Sequence, residues 1–222
     1  MRLCSAPGLV ISGLLLGAIV SSDASAIPIQ VSFSGTINGV SDNTGALAGS
    51  GITANVSTFT GTFSYDSASS AVLQSTYSAI YPGGDLQVTI DGTHVFTGTA
   101  NYVRVYNDDA NFNDRFESIP SGAGVVFPFT YNPNDNLFRV SFEDDTSSIF
   151  SDLSLPTNVA LDSFSRRELF IRTDLDRAAG QLWILSGSVT SLAFAPLPVP
   201  EPSAVVLLGL GLAWLGRKRC WR

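Results

Sequence analysis

The densest set of side chains able to do chemistry runs from Asn107 through Asp108, Asp109, Asn111 and Asn113 to Asp114, with Glu117 just beyond. Asp109, Asn111 and Asn113 stand at alternate positions, as donors do in the first half of a calcium loop, and Ca²⁺ gathers about six to eight oxygens from such groups. The pattern then departs from an EF-hand, because Asp114 stands where glycine is expected and Pro120 where the bidentate glutamate belongs. Asp108, Asp109, Asn111, Asn113 and Asp114 therefore form a candidate calcium site in a strand-to-strand loop. The competing reading is a solvated acidic turn whose Asp and Asn side chains bond their own backbone. Calcium is the one cofactor this sequence suggests.

Glu143-Asp144-Asp145 is a second acidic knot. On a strand, Glu143 and Asp145 share a face and Asp144 points the other way. Such a pair can complete a metal site or act as the two carboxylates of glycoside chemistry; the plainer expectation is a turn. His94 is the only histidine, follows Asp91-Gly92, and reads as an exposed hairpin residue. No Gly-x-Ser-x-Gly elbow accompanies it. Tyr77, Tyr81, Tyr102, Tyr106, Tyr131 and Trp183 offer aromatic surface for stacking on sugars, although most such rings belong to a core or a cross-strand ladder. Tyr102, Arg104 and Tyr106 alternate, so they share one face, a candidate sugar surface. Arg166-Arg167 beside Glu168 reads as a surface salt-bridge pair.

Composition narrows the classes. The chain has 222 residues, one His, two Cys and a formal net charge of −7. An acidic chain lacks the basic footprint a nucleic-acid binder needs. Its 45% hydrophobic content supplies a packed core, against disorder. The charge is unevenly placed: residues 27–202 sum to −11, and residues 203–222 sum to +4. Cys4 and Cys220 lie at the two extremes, so the part between them holds together without a disulfide.

The elements that must position these side chains are strands. Ile29, Val31 and Phe33 alternate with polar or small neighbours, as do Phe59, Phe63 and Tyr65, and Leu86, Val88 and Ile90. Asp91-Gly92 favours a tight hairpin into Val95-Phe96. Further strands are expected over Tyr102–Tyr106, Val125–Tyr131, Leu137–Phe142, Leu169–Arg172 and Leu182–Phe194. Val159–Leu169 reads as a loop leading into a strand. Phe33-Ser-Gly-Thr, Phe59-Thr-Gly-Thr and Phe96-Thr-Gly-Thr repeat a Phe-x-Gly-Thr pattern without a fixed period, which suggests paired strands with glycine at a close approach. The whole predicts an all-β, antiparallel β-sandwich or jelly-roll-like single domain over residues 27–195. Residues 196–202 form a linker with proline at every second position, an extended strut.

The ends read as addresses. Residues 1–26 carry Arg2, an apolar stretch from Leu9 to Val20 and Ala24-Ser25-Ala26, the layout of a secretory signal peptide with cleavage before Ile27. At the other end, Pro200-Glu201-Pro202 precedes an apolar run from Ala204 to Gly216 and then Arg217-Lys218-Arg219. The basic cluster is a stop-transfer signal. As a helix the run reaches about 20 Å, short of the ~30 Å hydrocarbon core, so it holds a protein in the membrane only briefly.

This tail resembles the PEP-CTERM sorting signal of Gram-negative bacteria in its triplet, apolar run and basic end. The resemblance implies recognition by an exosortase, a membrane-embedded protease or transpeptidase. It also implies transient inner-membrane anchoring through an apolar C-terminal helix, then delivery to the cell surface, outer envelope or exopolysaccharide matrix. Pro200, Glu201 and Pro202 would be the sorting motif, and Arg217, Lys218 and Arg219 the basic stop. The first expectation for function is a non-enzymatic structural or adhesive component. The second is a carbohydrate-binding module, calcium-dependent if Asp108–Asp114 binds the ion. The third is a polysaccharide-processing hydrolase using Glu143.

Overall fold

The computed structural model describes residues 27–99, 101–120, 125–129, 136–176 and 181–198. The signal peptide over residues 1–26, Tyr131, the sorting triplet and the apolar and basic tail lie outside them. The described chain is all-β. Its strands are β1 (Pro28–Asp42), β2 (Thr58–Asp66), β3 (Leu73–Gln74), β4 (Ser78–Pro82), β5 (Leu86–Ile90), β6 (His94–Gly98), β7 (Asn101–Asp109), β8 (Asn113–Pro120), β9 (Val125–Val126), β10 (Asn136–Asp144), β11 (Arg166–Asp176) and β12 (Gln181–Pro196). The one helical turn among the described residues is a 3-10 turn at Leu161–Ser163, inside the loop read as leading into β11.

All twelve strands belong to one antiparallel sheet, in the order β3-β4-β7-β8-β10-β11-β12-β1-β2-β5-β6-β9. The expected sandwich pictured two bonded layers. Here one continuous sheet curls so that its two halves face each other. Phe116 of β8 lies 5.7 Å from Phe63 of β2, five places away in strand order. An isolated bridge between Tyr65 and Gly83 draws the chain after β4 against β2.

Alternation decides which side is buried. In β1, Ile29, Val31, Phe33 and Ile37 point inward; in β2, Phe59, Phe63 and Tyr65 do so. At one end of the sheet Trp183, fully buried, meets Phe127 and Phe96 at ring distances of 5.4 and 6.5 Å. Burying each such ring stabilises the fold by about 1.5–3 kcal/mol. The Phe-x-Gly-Thr pattern finds its reason in the β1–β2 register, where Phe33 faces Gly61 and Gly35 faces Phe59. Each ring lies over a glycine on the next strand. A Cβ on Gly35 would stand 2.5 Å from the Phe59 ring.

The Asp91-Gly92 hairpin forms as expected, with φ of 51° and 70°, and joins β5 to β6. Two stretches differ from expectation. Of the expected strand Val125–Tyr131, the described residues 125–129 contribute the two-residue β9, and Phe127 then turns into the core against Phe96 and Trp183. Asn113–Pro120, over which no strand was expected, is a full strand paired with β7 and β10.

Candidate functional site

The outer face of β7, β8, β10 and β11 gathers most of the arginines among the described residues. Register sets the rows. Arg104 faces Glu117, which faces Ser141, which faces Glu168. One row along, Tyr106 faces Arg115, which faces Glu143, which faces Arg166. Guanidinium and carboxylate groups therefore alternate across β8, β10 and β11 in the second row, while Ser141 separates two carboxylates in the first.

Glu117 sits at the centre and is 2% exposed. Arg115 reaches it at 2.8 Å and Arg104 at 3.5 Å. Burial raises the Glu117 carboxyl above its ordinary value, opposed by Arg115, Arg139 and Arg104 and reinforced by Glu143. Arg115 is itself 5% exposed. Its guanidinium lies 4.9 Å over the Phe112 ring, which in turn packs on Tyr106 at 4.9 Å. Arg104 donates to the Tyr106 hydroxyl at 2.8 Å. The stack from Arg104 through Tyr106 and Phe112 to Arg115 fixes these side chains in place.

Beside the stack opens a cleft of about 240 Å³ bounded by Phe112, Arg115, Arg139, Glu143, Arg166 and Glu168. Its ion pairs are long: Arg139 to Glu168 at 3.6 Å, Arg166 to Glu143 at 3.8 Å and Arg166 to Asp145 at 3.7 Å. At such separations the partners attract without a direct hydrogen bond. Arg167 does not pair with adjacent Glu168, because neighbours on a strand point to opposite faces, and Arg166, which shares the face of Glu168, meets Glu143 and Asp145 instead. Arg167 instead meets Asp162 at 3.6 Å.

The calcium candidates fall in the β7–β8 hairpin, where the carboxylates of Asp109 and Asp114 accept from backbone N–H groups. Asp114 is fully buried and accepts from the backbone N–H of Ile149 and Phe150 at 2.8 and 2.7 Å and of Asp108 at 3.1 Å. Asp109 accepts from the N–H of Asn111 and Phe112 at 2.8 and 3.2 Å, which folds Phe112 back over the outer face. Asp108 and Asn113 sit at φ of 54° and 50°, the left-handed positions of the turn. Among the described residues no three His, Cys, Asp or Glu side chains come together as a metal-binding group. Asp109 and Asp114 thus serve backbone N–H groups in the way acidic turn residues do.

Of the acidic knot, Glu143 faces outward into the cleft, and Asp144 is buried opposite Asp114. Asp144 accepts from the N–H of Thr146 and Ser148 at 3.0 and 2.9 Å. Burial alone would raise its carboxyl, but the bonds from Ser148 and Thr146 hold it below its ordinary value. His94 is half-buried: its Nε2 lies 2.9 Å from the Ser50 carbonyl oxygen and its ring rests on Phe129.

The aromatic candidates divide. Trp183, Tyr81 and Tyr106 are buried, and Tyr81 donates to the Leu153 carbonyl at 2.6 Å. Tyr102 and Tyr77 remain exposed, at 45% and 52%. Tyr102, Arg104 and Tyr106 share the outer face as expected, with only Tyr102 presenting a free ring. Arg115, Arg139, Ser141 and Glu168 were not anticipated as a group. The signal for them was the alternation of charge in Asp-Arg-Phe-Glu-Ser and Phe-Arg-Val-Ser-Phe-Glu, which places Arg115 with Glu117 and Arg139 with Glu143 on the same face.

The delivery signal is a separate matter from this face. Residues 198–219 match the family model described as the PEP-CTERM protein-sorting motif. The chain carries a PEP-CTERM sorting signal. The match takes in Pro200-Glu201-Pro202, the apolar run and Arg217-Lys218-Arg219, and leaves the β domain outside it. A PEP-CTERM signal marks an exported chain that an exosortase recognises and that reaches the cell surface or the extracellular space. No curated protein and no solved structure matches the chain. Among the described residues no helix is long and apolar enough to cross a membrane.

Proposed function

We infer that the protein is a non-enzymatic structural or adhesive component of the cell surface or exopolysaccharide matrix. In this reading the apolar tail holds it briefly in the inner membrane until an exosortase processes it. The observation that carries the reading is the sorting signal at residues 198–219. A cysteine-free domain that closes its core through a curled sheet is suited to survive outside the cell without a reductant or chaperone.

The test is fractionation of the producing cells. The wild-type chain is expected as a shortened form at the surface or in the medium. A triple variant, Pro200→Ala, Glu201→Ala and Pro202→Ala, is expected to stay unprocessed in the inner-membrane fraction. A full-length wild-type chain in the cytoplasm overturns the reading. Release of reducing sugar from matrix glycan, abolished by Glu143→Gln, overturns its non-enzymatic part.

A further inference from the structure

We propose that the outer-face cleft at β8, β10 and β11 binds a neutral glycan segment, with Tyr102 as a neighbouring stacking ring and no need of calcium. This gives a ligand class to the adhesive role inferred above and rests on that reading for its setting.

The chemistry of the donor set selects the ligand. The cleft is walled by three guanidiniums, Arg115, Arg139 and Arg166, and two carboxylates, Glu143 and Glu168. A guanidinium only donates and an ionised carboxylate only accepts. A hydroxyl does both, so adjacent hydroxyls of a sugar can each accept from an arginine and donate to a glutamate. The spacing leaves room for this. Arg139–Glu168 and Arg166–Glu143 stand 3.6 and 3.8 Å apart, beyond direct hydrogen bonding, so a bridging hydroxyl or water is the natural third party.

An anionic ligand fits less well. It would meet Glu143 and Glu168 at the walls, and it would approach a segment of net charge −11 over residues 27–202. Preorganisation also favours the site. Arg115 is held by Glu117 and by Phe112, so binding freezes little side-chain motion. Tyr102, two residues from Arg104 on the same face, offers an exposed ring for the apolar side of a sugar.

The full-length chain, purified in a mild detergent, would be run in native gels cast with dextran, mannan, xylan or polygalacturonate, with and without EDTA. At least one neutral glycan should retard it, equally in EDTA. The charge-neutral pair Glu143→Gln with Arg166→Gln should weaken retardation at least fivefold, and Tyr102→Ala should weaken it several-fold. Thr60→Val, on another part of the outer face, should behave as wild type. Circular dichroism would confirm that the variants are folded, and exposed Tyr102 supplies a second test if the paired variant is not. Retardation by no glycan, by polygalacturonate alone, or only without EDTA would overturn the proposal. So would variants that bind like wild type. Failure here would leave the fractionation result standing, so the two readings fall separately.

Discussion

Asp114 and Asp144 stand opposite each other on β8 and β10, both buried, with like charge. Two such carboxylates repel unless each is well solvated by donors. Here backbone N–H groups of residues 146–150 supply the donors, so the pair fastens one end of the long β10–β11 loop to the sheet. Tyr81, and Tyr65 through its hydroxyl on the Pro156 carbonyl, hold the rest of that loop. Because the Asp144 carboxyl is held below the ordinary aspartate value of 3.8, its ionised form favours the folded state. That contribution is complete above 3.8 and disappears as the pH falls through the lower folded value. Asp144→Asn is therefore expected to lose about 1–3 kcal/mol at neutral pH. Its stability should also fall less steeply in acid than that of the wild type. Urea unfolding at a series of pH values from neutral to strongly acid checks both. Parallel curves for the two proteins would show that Asp144 does not couple to folding.

Strand elements carry their own specification in the Phe–Gly exchange between β1 and β2. Sliding the register by one residue would put each ring over a side chain instead of a glycine, so the pattern pins the pairing. A Cβ on Gly61 would run into the Phe33 ring and come within 2.9 Å of the Gln87 carbonyl oxygen. Backbone on one side and a buried ring on the other cannot both give way. Gly61→Ala is expected to destabilise by about 2–3 kcal/mol, the cost of overpacking a filled core. Gly45→Ala is no control, since Gly45 sits at φ of 76°. Thr60→Val, one residue away on the outer face, should change the urea midpoint little, and an equal loss in both would argue against the ring contact.

The same elements show what the sequence makes legible. Strands with one apolar side, β1, β2, β5 and β12, announce themselves by alternation. β8 does not, because Asp114 and Ser118 occupy inward positions beside the single large apolar residue Phe116. The charged residues that hid the strand are the ones that build the cleft, so the site and the missed element have one cause. The hairpin before it was legible as an acidic loop, whereas the backbone donors that Asp109 and Asp114 serve, some of them 35 residues on, were not. Joining of the two layers into one sheet was not legible either, since pairing partners such as β1 with β12 are set by contacts more than 140 residues apart.

At the scale of the molecule, both ends of the domain meet at one end of the sheet. Ile29 pairs with Pro196, and the Leu197 N–H donates to the Pro28 carbonyl at 2.7 Å. Pro196 and Pro198 have no N–H to donate to a further rung of the ladder. The signal that directs the protein is thus attached outside the unit that would act. A chain stopped after Pro198 keeps every rung between β12 and β1, together with the Leu197 bond. It should melt within about 2 °C of the full-length chain in the same detergent, at most about 0.5–1 kcal/mol for a domain of this size. In cells the truncated chain should escape exosortase processing and fail to reach the position of the wild type. A fall of about 5 °C or more would mean that the tail packs on the β domain and that address and fold are not separable. An unchanged melting temperature with lost delivery would assign residues 199–222 to transport alone, and leave the charged outer face as the part of the exported molecule available for adhesion.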